Sequence, residues 1–125
     1  MTDALPLFVY GTLMAGQAQA GLLGALGRRA AQVRGALYRL PAGYPALVAD
    51  DAGWVHGELV DPPSAPVLAL LDTYEGVDEG LYRRIVCDVR VGLRTQPAWA
   101  YVMDAAQARR GRRVEDGRWR PVRRR

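Results

Sequence analysis

Lysine and asparagine are missing from this chain of 125 residues, and serine, histidine and cysteine occur once each, as Ser64, His56 and Cys87. Each gap closes off a chemistry. Without lysine there is no Schiff-base amine and no P-loop lysine. One histidine and one cysteine cannot assemble a His/Cys metal centre, so no metal is expected. A single cysteine excludes an internal disulfide. A Ser-His-Asp triad would need Ser64, yet Pro62-Pro63-Ser64-Ala65-Pro66 reads as a helix start rather than a nucleophile turn. Proton transfer is therefore left to a carboxylate, with tyrosine in support. No apolar run approaches the ~18–20 residues needed to span a bilayer. Met1-Thr2-Asp3-Ala4 places no basic region ahead of an apolar stretch, so no signal peptide is read there. The expectation is a cytoplasmic protein with no membrane partner.

The length suits one domain with a single core, and half the residues are apolar. All 17 basic residues are arginine. Their distribution is uneven. Residues 109–125 hold nine arginines against Glu115 and Asp116, a net of +7. Residues 1–108 hold eight arginines against eleven acids, a net of −3. The division expected is a domain over 1–108 and an Arg-rich extension over 109–125, packed in part through Trp119.

Leu5–Tyr10 is a short apolar run ended by Gly11 and reads as a buried strand. Gln17–Arg29 carries Leu22, Leu23 and Leu26 among alanines and glycines and reads as a short helix. Val33–Leu40 alternates weakly before the turn-rich Pro41-Ala42-Gly43-Tyr44-Pro45. Trp54–Val60 reads as a strand after the Asp50-Asp51-Ala52-Gly53 turn. Ser64–Tyr74 is the clearest helix. Ser64 is its cap, Pro66 fits the first turn, and Gly76 is the stop. Val67, Leu70, Leu71 and Tyr74 form its apolar face. In Arg84–Val91, Ile85, Cys87, Val89 and Val91 share a face. In Ala98–Met103, Trp99, Tyr101 and Met103 do. Five strands and one or two short helices indicate an α+β domain with its sheet curled into a partial barrel.

Two segments carry chemistry. Leu7-Phe8-Val9-Tyr10-Gly11-Thr12-Leu13 is a strand that breaks at a glycine, which turns backbone N–H groups outward. Leu71-Asp72-Thr73-Tyr74-Glu75-Gly76 is a helix end that presents a carboxylate. At that end the helix dipole disfavours a negative charge by roughly 0.3–1 kcal/mol. Asp72, one turn earlier, adds like-charge repulsion. Both effects should raise the Glu75 pKa toward the range of a general base. The plainer alternative is a solvated helix-end acid. Loop and acid together suggest an enzyme acting on a small amino-acid derivative.

Val9-Tyr10-Gly11-Thr12-Leu13, Gly43-Tyr44-Pro45-Ala46-Leu47, Val55-His56-Gly57-Glu58-Leu59, Leu71-Asp72-Thr73-Tyr74-Glu75-Gly76 with Leu81-Tyr82-Arg83-Arg84, and Ala100-Tyr101 occur in this order. The set resembles the gamma-glutamylcyclotransferase-like family, and in its compact length and Tyr-Gly-Thr-Leu form the gamma-glutamylamine cyclotransferase branch. Asp116-Gly117-Arg118-Trp119 resembles the ending common there. The resemblance implies a small mixed β-barrel with one or two short helices and a cradle-like pocket. It implies conversion of a small-molecule gamma-glutamyl amine or related compound to 5-oxoproline and a free amine, without a cofactor. It assigns the catalytic carboxylate to Glu75 and the substrate loop to Tyr10, Gly11, Thr12 and Leu13.

Tyr82 and Tyr101 are candidates for the pocket wall, with a core position as the alternative, and Tyr44-Pro45 for a rigid rim. Glu58 reads as a second pocket carboxylate or as the partner of an arginine. His56 reads as a surface or satisfied histidine and Cys87 as an inert core residue. Two other function classes stay open. One is a small-molecule binding module that does no chemistry. The other, weaker, is nucleic-acid binding through the Arg-rich tail.

Overall fold

A computed structural model describes residues 4–14, 20–49 and 53–120. Within them lie β1 (Leu7–Val9), β2 (Arg28–Arg34), β3 (Ala36–Arg39), β4 (Pro45–Val48), β5 (Trp54–Val60), α1 (Ala65–Tyr74), β6 (Arg83–Val91), β7 (Arg94–Val102), α2 (Ala105–Ala108) and β8 (Arg112–Arg113). Single 3₁₀ turns occupy Ala20–Leu23 and Val77–Glu79.

Five strands close a barrel in the order β1-β5-β2-β6-β7. Its neighbours are antiparallel except β1 and β7, which meet in parallel at Leu7 and Trp99. The Trp99 N–H donates to the Pro6 carbonyl there, at 2.9 Å. The α+β class and the mixed barrel are thus as expected, and the barrel is closed rather than partial.

Strand periodicity of two fills the interior. Phe8, Val33, Val55, Leu59, Val89, Ala98, Ala100 and Val102 pack together inside. Gly57 lies between Val55 and Leu59 on this face. A Cβ there would sit 2.1 Å from the Val9 carbonyl oxygen and 2.9 Å from the Phe8 ring, so only glycine lets β1 close against β5. The opposite faces of β1 and β7 supply Leu7, Val9 and Tyr101, and Met103 just past β7 joins them, in a second core with Leu71 of α1 and Ala46 and Val48 of β4. The sheet β4-β3-β8 covers part of the barrel, and the Met103 N–H ties the two layers by donating to the Leu47 carbonyl at 2.9 Å.

Several expectations change. The described residues form eight strands, not five. The helix read over Gln17–Arg29 is a 3₁₀ turn followed by the start of β2, while residues 17–19 lie outside the described residues, as do Asp50-Asp51-Ala52. β2 is poor in strand formers but pairs along its whole length with β5, and that pairing decides its conformation. The single strand read over Val33–Leu40 breaks at Gly35 into β2 and β3, which belong to different sheets. A Cβ on Gly35 would lie 2.6 Å from the Val48 carbonyl oxygen.

Helix α1 follows its signals. The Ser64 hydroxyl accepts from the Val67 N–H at 3.3 Å. Gly76 reverses the chain at φ +67°, and its N–H returns to the Thr73 carbonyl at 3.1 Å. Its apolar face is narrower than expected: Leu71 is fully buried and Val67 partly, but Leu70 is 54% exposed and Tyr74 42%. The Arg-rich segment is bonded to the rest of the molecule. β8 pairs with β3, the Gly117 carbonyl accepts from the His56 N–H at 2.8 Å, and Trp119, 8% exposed, joins the barrel core.

Candidate active site

After β1 the chain passes through Tyr10 into a turn closed by the Met14 N–H donating to the Gly11 carbonyl at 3.0 Å. Such a turn has no internal acceptor for the N–H groups of Thr12 and Leu13. The sequence places Gly11 in the substrate loop, where the strand breaks. Its closest constraint is internal: a Cβ there would lie 2.4 Å from Cγ of Pro45, so glycine lets the loop close against β4. Arg28 braces the loop, donating to the Leu13 carbonyl at 2.7 Å and to Glu58 at 2.9 Å. Of the two readings of Glu58, the structure takes the arginine partner, and Glu58 does not line the cavity.

Across from this loop, α1 ends at Glu75, whose N–H still bonds the Leu71 carbonyl at 2.8 Å. Loop and helix end face a cavity of about 580 Å³. Every residue expected at the site lines it: Glu75, the loop Tyr10-Gly11-Thr12-Leu13, Tyr44 at the rim, and Tyr82 and Tyr101 on the walls. Burial pushes the Glu75 carboxyl from an ordinary 4.5 up to about 7. Among the described residues it has no ion-pair or hydrogen-bond partner to offset that burial.

The direction was expected, but the cause is burial rather than the helix dipole or Asp72. Asp72 does not act on Glu75 as a bare like charge. It takes a two-pronged contact from Arg84, at 2.8 and 3.0 Å, and a hydrogen bond from the Tyr101 hydroxyl at 2.7 Å. Burial alone would raise the Asp72 carboxyl; the bonds from Arg84 and Tyr101 outweigh it and hold it below its usual range. Arg84 is itself stacked 4.2 Å over the Trp99 ring. The two carboxylates, one helical turn apart, are driven in opposite directions by their surroundings.

Three tyrosines of the cavity, Tyr10, Tyr82 and Tyr101, are locked. Tyr10 donates to the Tyr101 carbonyl at 2.7 Å and accepts from the Leu47 N–H at 3.3 Å. Tyr82 donates to the Pro45 carbonyl. Tyr101 donates to Asp72. Burial first pushes all three phenols up, the Glu75 charge adds to it in each, and at Tyr101 so does the bond to Asp72, so they stay protonated near neutral pH. Tyr10, Tyr82 and Tyr101 are also core members, so the core reading of Tyr82 and Tyr101 holds alongside the wall reading.

Sequence reasoning missed several wall residues. Tyr74, assigned to the helix core face, lies at the mouth with its hydroxyl 3.4 Å from Thr12 Oγ1. Leu40, Ala42 and Leu81 add apolar wall. Leu81 and Tyr74 were present in the quoted motifs, but their direction depended on where the helix ends. His56 lies outside the cavity, and burial, then Arg118, lowers its pKa. Cys87 is half-buried against the barrel core, and burial pushes its thiol up to about 11, so it is protonated near neutral pH.

This geometry has known counterparts. The family model described as gamma-glutamyl cyclotransferase, AIG2-like, matches residues 7–121. The chain belongs to that family. Among solved structures, YkqA from Bacillus subtilis superposes with a TM-score of 0.75 at 24% identity, covering 94% of this chain and 40% of YkqA. The chain thus spans about 40% of the length of that relative. An AIG2-like protein from Mus musculus superposes at 0.71 with 19% identity, covering 99% of this chain and 100% of its own. A structure described as gamma-glutamyl cyclotransferase superposes at 0.67 with 17% identity, covering 82% of this chain and 68% of its own. At these identities the superpositions establish a shared fold. No curated protein sequence matches significantly. Membership in the family supports a cyclotransferase-type function.

Proposed function

We propose that this family member cyclises a gamma-glutamyl amine or a related gamma-glutamyl compound to 5-oxoproline, releasing a free amine, with Glu75 as general base and then general acid. The observation that carries the reading is Glu75 itself: a carboxylate facing a cavity, raised by burial to about 7. A base of that pKa takes a proton from the substrate's α-ammonium and still ionises at neutral pH.

The freed amine attacks the γ-carbonyl carbon of the same molecule, and the developing oxyanion is met by the outward N–H groups of Thr12 and Leu13. Protonated Glu75 gives its proton to the leaving nitrogen as the C–N bond breaks, then takes the second proton from the new ring nitrogen, which the released amine carries away as its ammonium. Bond formation is intramolecular, so holding one bent conformer supplies much of the acceleration, and the braced loop and locked tyrosines suit that task. No step needs a metal or an organic cofactor. The Tyr-Gly-Thr-Leu loop favours the gamma-glutamylamine branch, and the cytoplasm is the expected site of action.

The test is 5-oxoproline release from a panel of gamma-glutamyl amines, amino acids and peptides. Turnover of at least one amine that disappears in Glu75→Gln supports the proposal. No turnover of any member by the folded protein overturns it.

A further inference from the structure

The arginines of the C-terminal segment meet β3 in a second concavity. It measures about 510 Å³ and is bordered by Arg39, Leu40, Pro41 and residues 110–114. Four of its bordering residues are arginines, Arg39, Arg110, Arg112 and Arg113, and none is acidic. The ion pairs among the described residues use Arg28, Arg83, Arg84 and Arg120, so the cleft arginines have no carboxylate partner there. Arg39 is the fixed member. Its guanidinium stacks 4.0 Å over the Trp119 ring and bonds the Arg120 carbonyl through Nη2. Its Nη1 is buried and has no hydrogen-bond partner among the described residues. Like charges gathered in a concavity with one guanidinium pinned are an unneutralised field that an anion would relieve.

We propose that this cleft binds a small molecule carrying two or more adjacent phosphate groups. Guanidinium forks match phosphate oxygens two at a time, and several at once suit a polyphosphate better than a single carboxylate. The volume falls within the roughly 300–1,000 Å³ of small-molecule sites. Nucleic acid fits less well. Single strands are gripped by open aromatic platforms, whereas Trp119 is 8% exposed and carries Arg39 on its face. The cleft is distinct from the Glu75 cavity, with Leu40 bordering both.

The probe is inorganic triphosphate, titrated calorimetrically into the full chain at about 50 and about 200 mM salt. The expected result is one-to-one binding that weakens about tenfold or more across that range. Arg110→Gln/Arg112→Gln, both exposed positions, should lose about tenfold or more in affinity at the lower salt, having given up charge-assisted bonds. Arg90→Gln/Arg94→Gln, exposed on β6 and β7 with the same change in net charge, should bind as the parent does. Thermal melts of both doubles confirm folding. No binding by the parent, or equal loss in the two doubles, overturns the proposal, the second because diffuse charge would then suffice. A single-stranded RNA that binds more tightly and is not displaced by triphosphate overturns it as well, in favour of a nucleic-acid surface.

Discussion

Glu75 occupies a position that stability alone would give to an apolar or basic side chain. Its ordinary value of 4.5 becomes about 7 in the folded protein because burial disfavours the charged form. The sign of the linkage follows. Below about 4.5 the carboxyl is neutral in both the folded and unfolded chain. Through about 7 the unfolded chain is already ionised while the folded one resists, and above that the folded state carries a buried charge worth roughly 1–3 kcal/mol of destabilisation. Glu75→Gln should therefore melt higher than the parent above pH 7, with the difference vanishing below about pH 4.5. Melting both proteins from pH 4 to 9 checks this; a constant offset would deny the burial effect. Asp72 has the opposite sign. Its bonds from Arg84 and Tyr101 stabilise the fold above the ordinary carboxylate value and are lost as pH falls through its lowered one. Asp72→Asn should cost about 1–3 kcal/mol at neutral pH and much less in acid, with a far smaller effect on turnover than Glu75→Gln. If Asp72→Asn proves the inactive variant, the wrong carboxylate has been assigned.

At the scale of elements, the site depends on a loop and a helix end meeting across one cavity. Gly11→Val should damage both binding and stability, since the added carbons collide with Pro45, whose Cγ is 2.4 Å from the Cβ position. Thr12→Val should be milder, because the proposed donors are main-chain groups and the Thr12 hydroxyl only touches Tyr74 at 3.4 Å. KM and melting temperature measured together on the pair decide it; complete loss in both would point to a catalytic hydroxyl on Thr12. The elements legible in the sequence are those with local signals. Trp54–Val60 appears with the bounds read, and α1 is capped by Ser64 and followed by the reversal at Gly76, because caps and turns are encoded within a few residues. β2 was illegible for the opposite reason. Arg28–Arg34 is strand only because β5 and β6 flank it. The site was legible through its motifs, but the partners that tune it were not. Nothing in the spacing of Asp72, Arg84 and Tyr101 said that they would meet, and Tyr74 followed the helical period on paper yet faces the cavity mouth.

For the whole molecule, charge and structure divide differently. The excess of arginine lies beyond residue 108, yet residues 112–119 pair with β3, bond β5 and fill part of the barrel core. Trp119→Ala should cost about 3–5 kcal/mol, the scale of removing a buried indole, and denaturant unfolding measures it. Deleting Arg123–Arg125, which lie outside the described residues, should leave 5-oxoproline release unchanged.

The central claim, that one buried carboxylate performs the proton transfers, is met most directly by the pH dependence of kcat/KM for 5-oxoproline release, with Glu75→Gln beside the parent. The account predicts a parent profile that rises tenfold per pH unit on its acid side and levels near pH 7, the value set by burial of Glu75. In Glu75→Gln turnover should fall about 10²-fold or more and that limb should vanish. A Glu75→Gln enzyme that keeps near-parent turnover and the same limb would contradict it.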